Sequence, residues 1–227
     1  MKFAIVVFPG TSCEQEMYHA VKDVLGEEAE LVWYNEANLG NYDAVILPGG
    51  ASFGNYLRGG ALASQTEVVQ QLKELADKGT PILGVGNGFQ VLLESGILPG
   101  AMLRNENLQF ICQFESLVIE NNQTMFTSEY EKGEIVSIPI ANAESNYYCD
   151  ADTLALLQAN NQIVLTYQNN PNGSLSDIAG SVNEQGNVLG MMPQPERATE
   201  AILGSSDGLK LFQSIVKNWR ESYVTGA

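Results

Sequence analysis

A glycine occupies the position at which this chain has the local pattern of a catalytic nucleophile. The run Gly84-Val85-Gly86-Asn87-Gly88-Phe89-Gln90 follows an apolar stretch at residues 81–83 and begins an amphipathic one at residues 89–93. We interpret it as a strand, a sharp turn and a helix. The central residue of such an elbow is usually a Ser or Cys, whose side chain attacks an acyl carbon beside the unpaired N–H groups of the helix start. Because Gly86 has no side chain, the pattern predicts the architecture of an enzyme without its reacting atom.

The chain has three cysteines and one histidine that could supply such chemistry from another position. Cys13 follows the first predicted strand, near a helix start that could lower its pKa, but we favour a structural role for it. His19 lies in the first predicted helix, where a partly exposed position is more common than a catalytic one. Cys112 lies in a predicted strand and Cys149 next to Asp150, and neither has a basic neighbour in the sequence. We therefore expect no relocated pair of cysteine and histidine.

The cysteines also bear on metal sites and on the compartment. Their number is odd, and their spacing matches neither a CxxC pair nor a metal-binding motif. We therefore expect no disulfide framework and no metal site, and we predict no cofactor. Unpaired cysteines are typical of a reducing compartment.

Charge and hydropathy exclude further classes of function. With 27 acidic and 11 basic residues the formal net charge is −16, which argues against nucleic-acid binding. No run approaches the roughly 20 apolar residues that cross a bilayer, and the apolar run at residues 3–8 is too short for the core of a signal peptide. We expect a cytoplasmic protein with no nucleic-acid or membrane partner. A length of 227 residues with 44% hydrophobic residues suits one domain over residues 1–227.

The first part of the chain alternates apolar runs of strand length with segments of helical periodicity. The predicted strands are residues 3–8, 30–34, 44–47 and 82–85, and the predicted helices rest on the repeats Met17, Val21, Val24, Leu25 and Val68, Leu72, Leu75, Ala76 within residues 64–78. This order predicts an α/β fold with an open, mostly parallel twisted sheet and helices on both faces. Sites in such sheets form beyond the carboxyl ends of the strands.

From Arg104 onward, short runs of β type are separated by polar turns, which predicts antiparallel strands added to the main sheet. These runs are residues 110–114, 116–120, 135–140, 163–167, 178–183 and 187–192, the last two as a hairpin. Residues 207–220 carry an apolar stripe at helical spacing and are predicted to form a helix.

Three loops are expected to meet at the strand ends: Pro48-Gly49-Gly50, the elbow at Gly86, and residues 193–197. Further motifs accompany them: Val7-Phe8-Pro9-Gly10, Tyr56-Leu57-Arg58 and Asn146-Tyr147-Tyr148. Together these motifs resemble the class I glutamine amidotransferases, and most closely the small, separate glutaminase subunits of phosphoribosylformylglycinamidine synthases of purine biosynthesis. The likeness runs nearly from end to end and implies their flavodoxin-like fold.

The resemblance also implies a reaction and the residues that would perform it. In this family a cysteine attacks the side-chain amide of glutamine, a histidine held by a glutamate moves the proton, and backbone N–H groups receive the oxyanion, so that ammonia and glutamate are released. By position, Gly86 is the nucleophile site, Gln194 the base site and Glu196 the orienting carboxylate, while Gly50 and Asn87 lie at the oxyanion donors. Gly86 offers no sulfur, and the amide of Gln194 cannot accept and return a proton as imidazole does.

A glutamine pocket without its chemistry is the next expectation. Gln90 lies where the family contacts the glutamine substrate. Other positions depart from the family pattern: Asn142 and Ala143 replace a His-Gly pair, Ala51 an aromatic residue, Asn55 an acidic one and Gly59 a cysteine. These departures leave glutamine binding in doubt.

Two hypotheses follow for the whole protein. In the first, it is a glutaminase subunit by descent, catalytically inactive, that still docks on the two partners that the resemblance implies: a small bridging subunit with the large synthetase subunit. In the second, it is a fold-preserving binding or structural protein without a synthetase partner, whether by natural decay or by design. Exposed aromatic and arginine side chains in Tyr56-Leu57-Arg58 and Asn146-Tyr147-Tyr148 would favour the first.

Overall fold

The computed structural model describes residues 1–36 and 38–225 of the chain. Its strands are β1 (Lys2–Val7), β2 (Glu28–Trp33), β3 (Ala44–Leu47), β4 (Ile82–Val85), β5 (Ala101–Leu103), β6 (Ile111–Ile119), β7 (Ile135–Asn142), β8 (Asn146–Tyr148), β9 (Ile163–Tyr167), β10 (Ile178–Val182) and β11 (Val188–Met191). Its α-helices are α1 (Glu14–His19), continued by a π-helical turn (Ala20–Val24), α2 (Glu67–Asp77), α3 (Asn87–Glu94), α4 (Ala151–Ala159) and α5 (Leu209–Thr225). Short 3-10 helices cover Leu39–Asn41, Ser52–Asn55, Ala63–Gln65, Leu175–Asp177, Pro195–Arg197 and Ala201–Leu203.

One sheet of nine strands organises the fold, in the order β2-β1-β3-β4-β11-β10-β9-β6-β7. The first five of these strands pair in parallel, and β10, β9, β6 and β7 extend the sheet by antiparallel pairing. Strands β5 and β8 form a separate antiparallel pair. The predicted α/β fold, with antiparallel strands added in the C-terminal half, is confirmed.

Helices cover both faces of the parallel strands, and this explains the apolar composition of those strands. All four residues of β3 and all four of β4 are buried, as expected for strands that are packed on both sides. On one face, Met17 and Val21 of the first helical segment and Phe212 of α5 join the core. On the other face the core takes in Leu72 of α2 and Phe89 of α3. Burial of each such large apolar side chain contributes about 1.5–3 kcal/mol.

Strand β6 and helix α2 differ in their bounds from the sequence prediction. Residues 110–114 and 116–120 belong to one strand, β6, because β7 pairs with it without interruption from Ile111 to Val118. The polar residue between the two runs, Glu115, is only 8% exposed and accepts a hydrogen bond from Gln113 Nε2 at 2.6 Å. Helix α2 begins at Glu67 and not at residue 64, since residues 63–65 form a separate 3-10 turn.

Helix α4 and the small pair of β5 and β8 were not predicted. Asp150 caps α4 by accepting a hydrogen bond from Thr153 N at 2.7 Å, which is the usual role of Asp at a helix start. The apolar pattern after this cap is weak, because Leu157 is buried while its neighbour Leu156 is 60% exposed. The capping residue Asp150 was therefore the signal in the sequence that could have indicated α4.

Within the described residues, no helix combines the length and the apolar character that a membrane span requires.

Candidate functional site

The carboxyl ends of four neighbouring parallel strands form one cleft. In the order β1-β3-β4-β11, each strand is followed by a loop that contributes residues to the wall: Cys13 after β1, Gly49 and Gly50 after β3, Gly86 after β4 and Gln194 after β11. The chain leaves β1 towards β2 on one side and returns at β3 on the other, which is the switch point at which sheets of this type bind ligands. The cleft has a volume of about 590 Å³.

Gly86 forms the predicted elbow between β4 and α3. Its backbone has φ +54° and ψ −110°, and it is the N-cap residue of the helix. Its N–H donates to Met191 O at 2.8 Å, which ties the elbow to β11. A Cβ at this position would have as its nearest contact Gly49 Cα at 3.7 Å. The cleft therefore has room for a side chain at position 86, while the backbone conformation would cost any residue with a Cβ about 1–3 kcal/mol.

Gln194 lies at the predicted base position and is 4% exposed. Its backbone N–H donates to Pro139 O at 2.8 Å, and its side-chain Nε2 donates to Cys13 Sγ at 3.6 Å. Its Oε1 is buried and has no hydrogen-bond partner among the described residues. An amide in this place donates to its neighbour but cannot take up a proton near neutral pH.

Glu196, the predicted orienting carboxylate, lies two residues further along and is 2% exposed. Neither of its carboxyl oxygens has a hydrogen-bond partner within the described part of the chain. Burial raises its pKa to about 8, although the neighbouring Arg197 acts to lower it. The raised pKa favours the neutral acid at neutral pH, in a site where Gln194 and not an imidazole is the neighbouring side chain.

Cys13, for which we favoured a structural role, lines the cleft. It lies against Gln194, and Arg197 Nη2 is 3.4 Å from its Sγ. Burial, together with the charge of Glu196, raises its pKa to about 11. The expectation that a helix start could lower this pKa is therefore wrong. Its nearness to Gln194 left no local signal, because the two residues lie 181 positions apart in the sequence.

The predicted oxyanion donors, Gly50 and Asn87, both line the cleft. Asn87 is the first residue of α3, where a backbone N–H has no acceptor within the helix. Its side chain connects α3 to the segment that follows β3. Its Oδ1 accepts from Ser52 N at 3.0 Å, and its Nδ2 donates to Asn55 Oδ1 at 3.1 Å. The scaffold around the elbow is thus held by hydrogen bonds.

Gln90, predicted to contact the substrate, is 5% exposed and is held within the protein. Its Nε2 donates to Glu144 O at 2.8 Å, and its Oε1 accepts from Asn87 Nδ2 at 2.9 Å. The side chain also fills the space beside Gly59, where an added Cβ would collide with its amide. The glycine at position 59 and the inward arrangement of Gln90 therefore belong together.

One of the positions predicted to depart from the family pattern has a buried side chain without polar partners in the described part of the chain. Asn142 is 9% exposed, and neither its Oδ1 nor its Nδ2 has a partner among the residues described. Ala51, Asn55 and Ala143 line the cleft beside it.

The remaining reactive side chains do not line this cleft. His19 is 49% exposed, as predicted, and its ring nitrogens hydrogen-bond with Asp23 and Glu200 at 2.9 Å each. The bond to Glu200 is the main cause that raises its pKa. Cys112 is exposed on β6, and Cys149 is buried. All three cysteines lie in the described part of the chain and are free thiols.

Exposed large side chains follow a wall residue of the cleft in the sequence. Tyr56 is 73% exposed and Leu57 is 85% exposed, directly after the wall residue Asn55. Of the second predicted surface motif, Tyr148 is 53% exposed, but Tyr147 is fully buried. Tyr147 stacks on Phe89 with ring centroids 6.2 Å apart.

Comparison with known proteins places this cleft in a family. A family model described as the CobB/CobQ-like glutamine amidotransferase domain matches residues 1–220. A chain in the structure of PurLQS from Thermotoga maritima is 42% identical, over 96% of this chain and 98% of that one, with a TM-score of 0.89.

Two further structures share the fold at low identity. One is a putative GMP synthase subunit from Thermoplasma acidophilum, at 12% identity over 100% of this chain and 98% of that one, with a TM-score of 0.68. The other is a glutamine amidotransferase from Thermotoga maritima, at 14% identity over 96% and 97%, with a TM-score of 0.63.

Proposed function

This chain belongs to the CobB/CobQ-like glutamine amidotransferase family and is of class I, and we propose that it is a glutaminase subunit of phosphoribosylformylglycinamidine synthase by descent that no longer hydrolyses glutamine. The family match over residues 1–220 and the similarity to a chain of PurLQS support the descent. They also support our treatment of residues 1–227 as one amidotransferase domain.

The observation that carries the loss of activity is Gly86 at the elbow, with φ +54° and no side chain. In a glutaminase of this class the residue at this point forms the covalent bond to the amide carbon of glutamine. The base position compounds the loss, because Gln194 has an amide where the proton must be accepted and returned. The N–H groups at Gly50 and Asn87, the proposed oxyanion donors, would stabilise an oxyanion only after an attack has occurred.

Cys13 does not replace the missing nucleophile, although its thiol lines the same cleft. A nucleophilic cysteine reacts as the thiolate, and a pKa of about 11 keeps this thiol protonated near neutral pH. Gln194 and Arg197 both direct N–H donors to the sulfur, and neither is a base. The nearby carboxyl groups are Glu16, which pairs with Arg197, and the buried Glu196. We therefore expect no measurable glutamine hydrolysis and no covalent labelling of any cysteine by an electrophilic glutamine analogue.

Glutamine binding is also expected to be weak or lost. Both polar ends of the Gln90 amide already have partners in Glu144 and Asn87. A ligand would have to break those bonds before it could use this side chain, which removes most of the net gain of a new hydrogen bond.

The proposed partners are two proteins, a small bridging subunit with a large synthetase subunit. Tyr56, Leu57 and Arg58 are exposed and directly follow the wall residue Asn55, and aromatic and arginine anchors are common at interfaces. In such a complex the chain would keep a structural role beside the synthetase. A cytoplasmic location is part of this proposal, because three free thiols are typical of a reducing compartment.

Co-purification of the chain with the large and the small bridging subunit of a similar synthetase tests the proposal. We expect a complex that lacks glutamine-dependent activity but retains ammonia-dependent synthesis. Leu57→Asp should abolish the complex, whereas Leu156→Asp, a matched change on the exposed side of α4, should preserve it. Glutamine turnover by the isolated chain or the complex would overturn the loss of activity. Failure of the unaltered chain to bind would favour the alternative, a binding or structural protein without a synthetase partner.

A further inference from the structure

Three potential metal ligands converge beside Gln194. Cys13 Sγ and one carboxyl oxygen from each of Glu16 and Glu196 all lie within 4.8 Å of one another. Cys13 precedes α1 and Glu16 lies in its first turn, while Glu196 belongs to the loop after β11. We propose that these three side chains form a binding site for a thiophilic divalent cation, of which Zn²⁺ is the physiological example. This inference is independent of any glutaminase role.

The state of Glu196 is the second observation that points to a ligand. Its side chain is only 2% exposed, and both of its oxygens lack a hydrogen-bond partner among the described residues. Gln194 Oε1, in the same wall, is also buried without a partner there. Buried polar atoms are normally satisfied, and each one that is not costs free energy. A cation between Cys13 and Glu196 would satisfy the carboxyl group, and a half-turn of the Gln194 amide would offer its oxygen as a fourth ligand.

The types of ligand select the metal. Calcium and magnesium ions require six or more oxygen ligands, which this cluster does not offer. Zinc accepts one thiolate together with oxygen ligands in tetrahedral geometry, at about 2.3 Å for sulfur and about 2.0–2.2 Å for oxygen. Those bond lengths place neighbouring ligand atoms roughly 3.5 Å apart. The ligand atoms now lie up to 4.8 Å apart. Rotation of their side chains would therefore have to bring them closer by about 1 Å.

A positive charge already occupies the edge of the cluster. Arg197 Nη2 lies 2.9 Å from Glu16 Oε2 and 3.4 Å from Cys13 Sγ. The Arg197 side chain is 32% exposed, so it can turn outward when a metal ion takes its place. Metal binding requires the thiolate and carboxylate forms of these ligands. The guanidinium group competes with the metal, and its removal should tighten binding.

Titration of the intact chain with Co²⁺ and Zn²⁺ in mildly alkaline buffer tests the site. We expect one ion per chain, a sulfur-to-cobalt charge-transfer band, and a higher Tm with Zn²⁺. Cys13→Ser should remove the band, and Glu196→Gln should weaken Zn²⁺ binding about 10–100-fold or more. Arg197→Ala should strengthen it. The control Cys112→Ser, which removes the exposed thiol on β6, should leave both signals unchanged.

Three outcomes of these titrations would contradict the proposed metal site. The absence of both a band and a Tm shift in the unaltered chain would overturn the proposal, as would a band that survives Cys13→Ser or an affinity that Glu196→Gln leaves unchanged. If Cys13→Ser does not fold, Glu196→Gln decides the question by itself, because it retains the thiol and replaces only one ligand oxygen with an amide nitrogen.

Discussion

Gln194 donates a hydrogen bond from Nε2 to the sulfur of Cys13 across 3.6 Å. This contact joins the loop after β1 to the loop after β11, so that Gln194, the proposed base position, faces a thiol whose raised pKa keeps it protonated. Glu196, in the same loop as Gln194, has no hydrogen-bond partner for either carboxyl oxygen among the described residues. The altered site is therefore a rearranged set of polar groups, and its members can be tested one by one.

Repair of the elbow should restore covalent chemistry. In Gly86→Cys with Gln194→His, the new thiol enters space in which the nearest atom to its Cβ is Gly49 Cα at 3.7 Å. The imidazole supplies a base, and the resemblance to class I amidotransferases implies that Glu196 orients it. We expect labelling by an electrophilic glutamine analogue at position 86, detected by mass spectrometry. The positive φ at this position should lower the free energy of unfolding by about 1–3 kcal/mol.

Two controls separate strain from chemistry. Gly86→Ala with Gln194→His carries the same backbone strain without a thiol and should not be labelled. Gly86→Cys alone has the thiol without its base and should be labelled far more slowly than the double variant. A folded double variant that stays unlabelled would show that the inward arrangement of Gln90 has closed the substrate pocket.

Glu196 should make the protein less stable as the pH rises. Its pKa is about 8 in the folded protein, compared with an ordinary value of 4.5. Between these values the folded state holds a proton that the unfolded state has lost, so stability is fully present below pH 4.5 and declines up to about pH 8. The expected contribution to the slope is about 1.4 kcal/mol per pH unit.

Glu196→Gln should remove this contribution, because an amide has a similar shape and does not ionise. Chemical denaturation at both ends of the window should give nearly equal stability for the two proteins at the acidic end and a more stable variant at the alkaline end. Glu28→Gln, on the exposed surface of β2, is the matched control. An unchanged difference in stability across the window would contradict the assignment of a protonated Glu196.

The sequence predicts the parts of the site that are local and misses those that depend on packing. Strands β3 and β4 have the predicted bounds, because short apolar runs end at Pro48-Gly49-Gly50 and at the elbow. The position of Gly86 in that elbow follows from the same kind of signal, in which glycine and proline residues mark a turn. By contrast, the contact of Cys13 with Gln194 depends on β1, β3, β4 and β11 being neighbours in the sheet. The burial that raises the pKa of Glu196 is likewise a property of the folded chain.

The exposed thiol should react before the two buried ones. Cys112 is exposed, whereas Cys13 and Cys149 are buried. The pKa of about 11 for Cys13, compared with an ordinary 9.0, lowers its thiolate fraction about a hundredfold at neutral pH, and its burial restricts access further. Alkylation of the native protein, followed by mass spectrometry, should therefore modify Cys112 first. Similar rates for all three thiols after denaturation are the control, and equal rates in the native protein would show that the cleft wall opens.

His19 provides a single probe of the contact between α1 and the 3-10 helix Ala201–Leu203. As the chain has one histidine, its imidazole signals in an NMR titration are unambiguous. Hydrogen bonds to Glu200 and, to a smaller extent, Asp23 raise its pKa above 6.5. The resulting stabilisation is present below that value and is lost as the pH rises through the raised pKa. Glu200→Gln should lower this pKa more than Asp23→Asn does, and Glu28→Gln should leave it unchanged. A larger effect of Asp23→Asn would mean that the ring is held within α1 and does not bridge to Glu200.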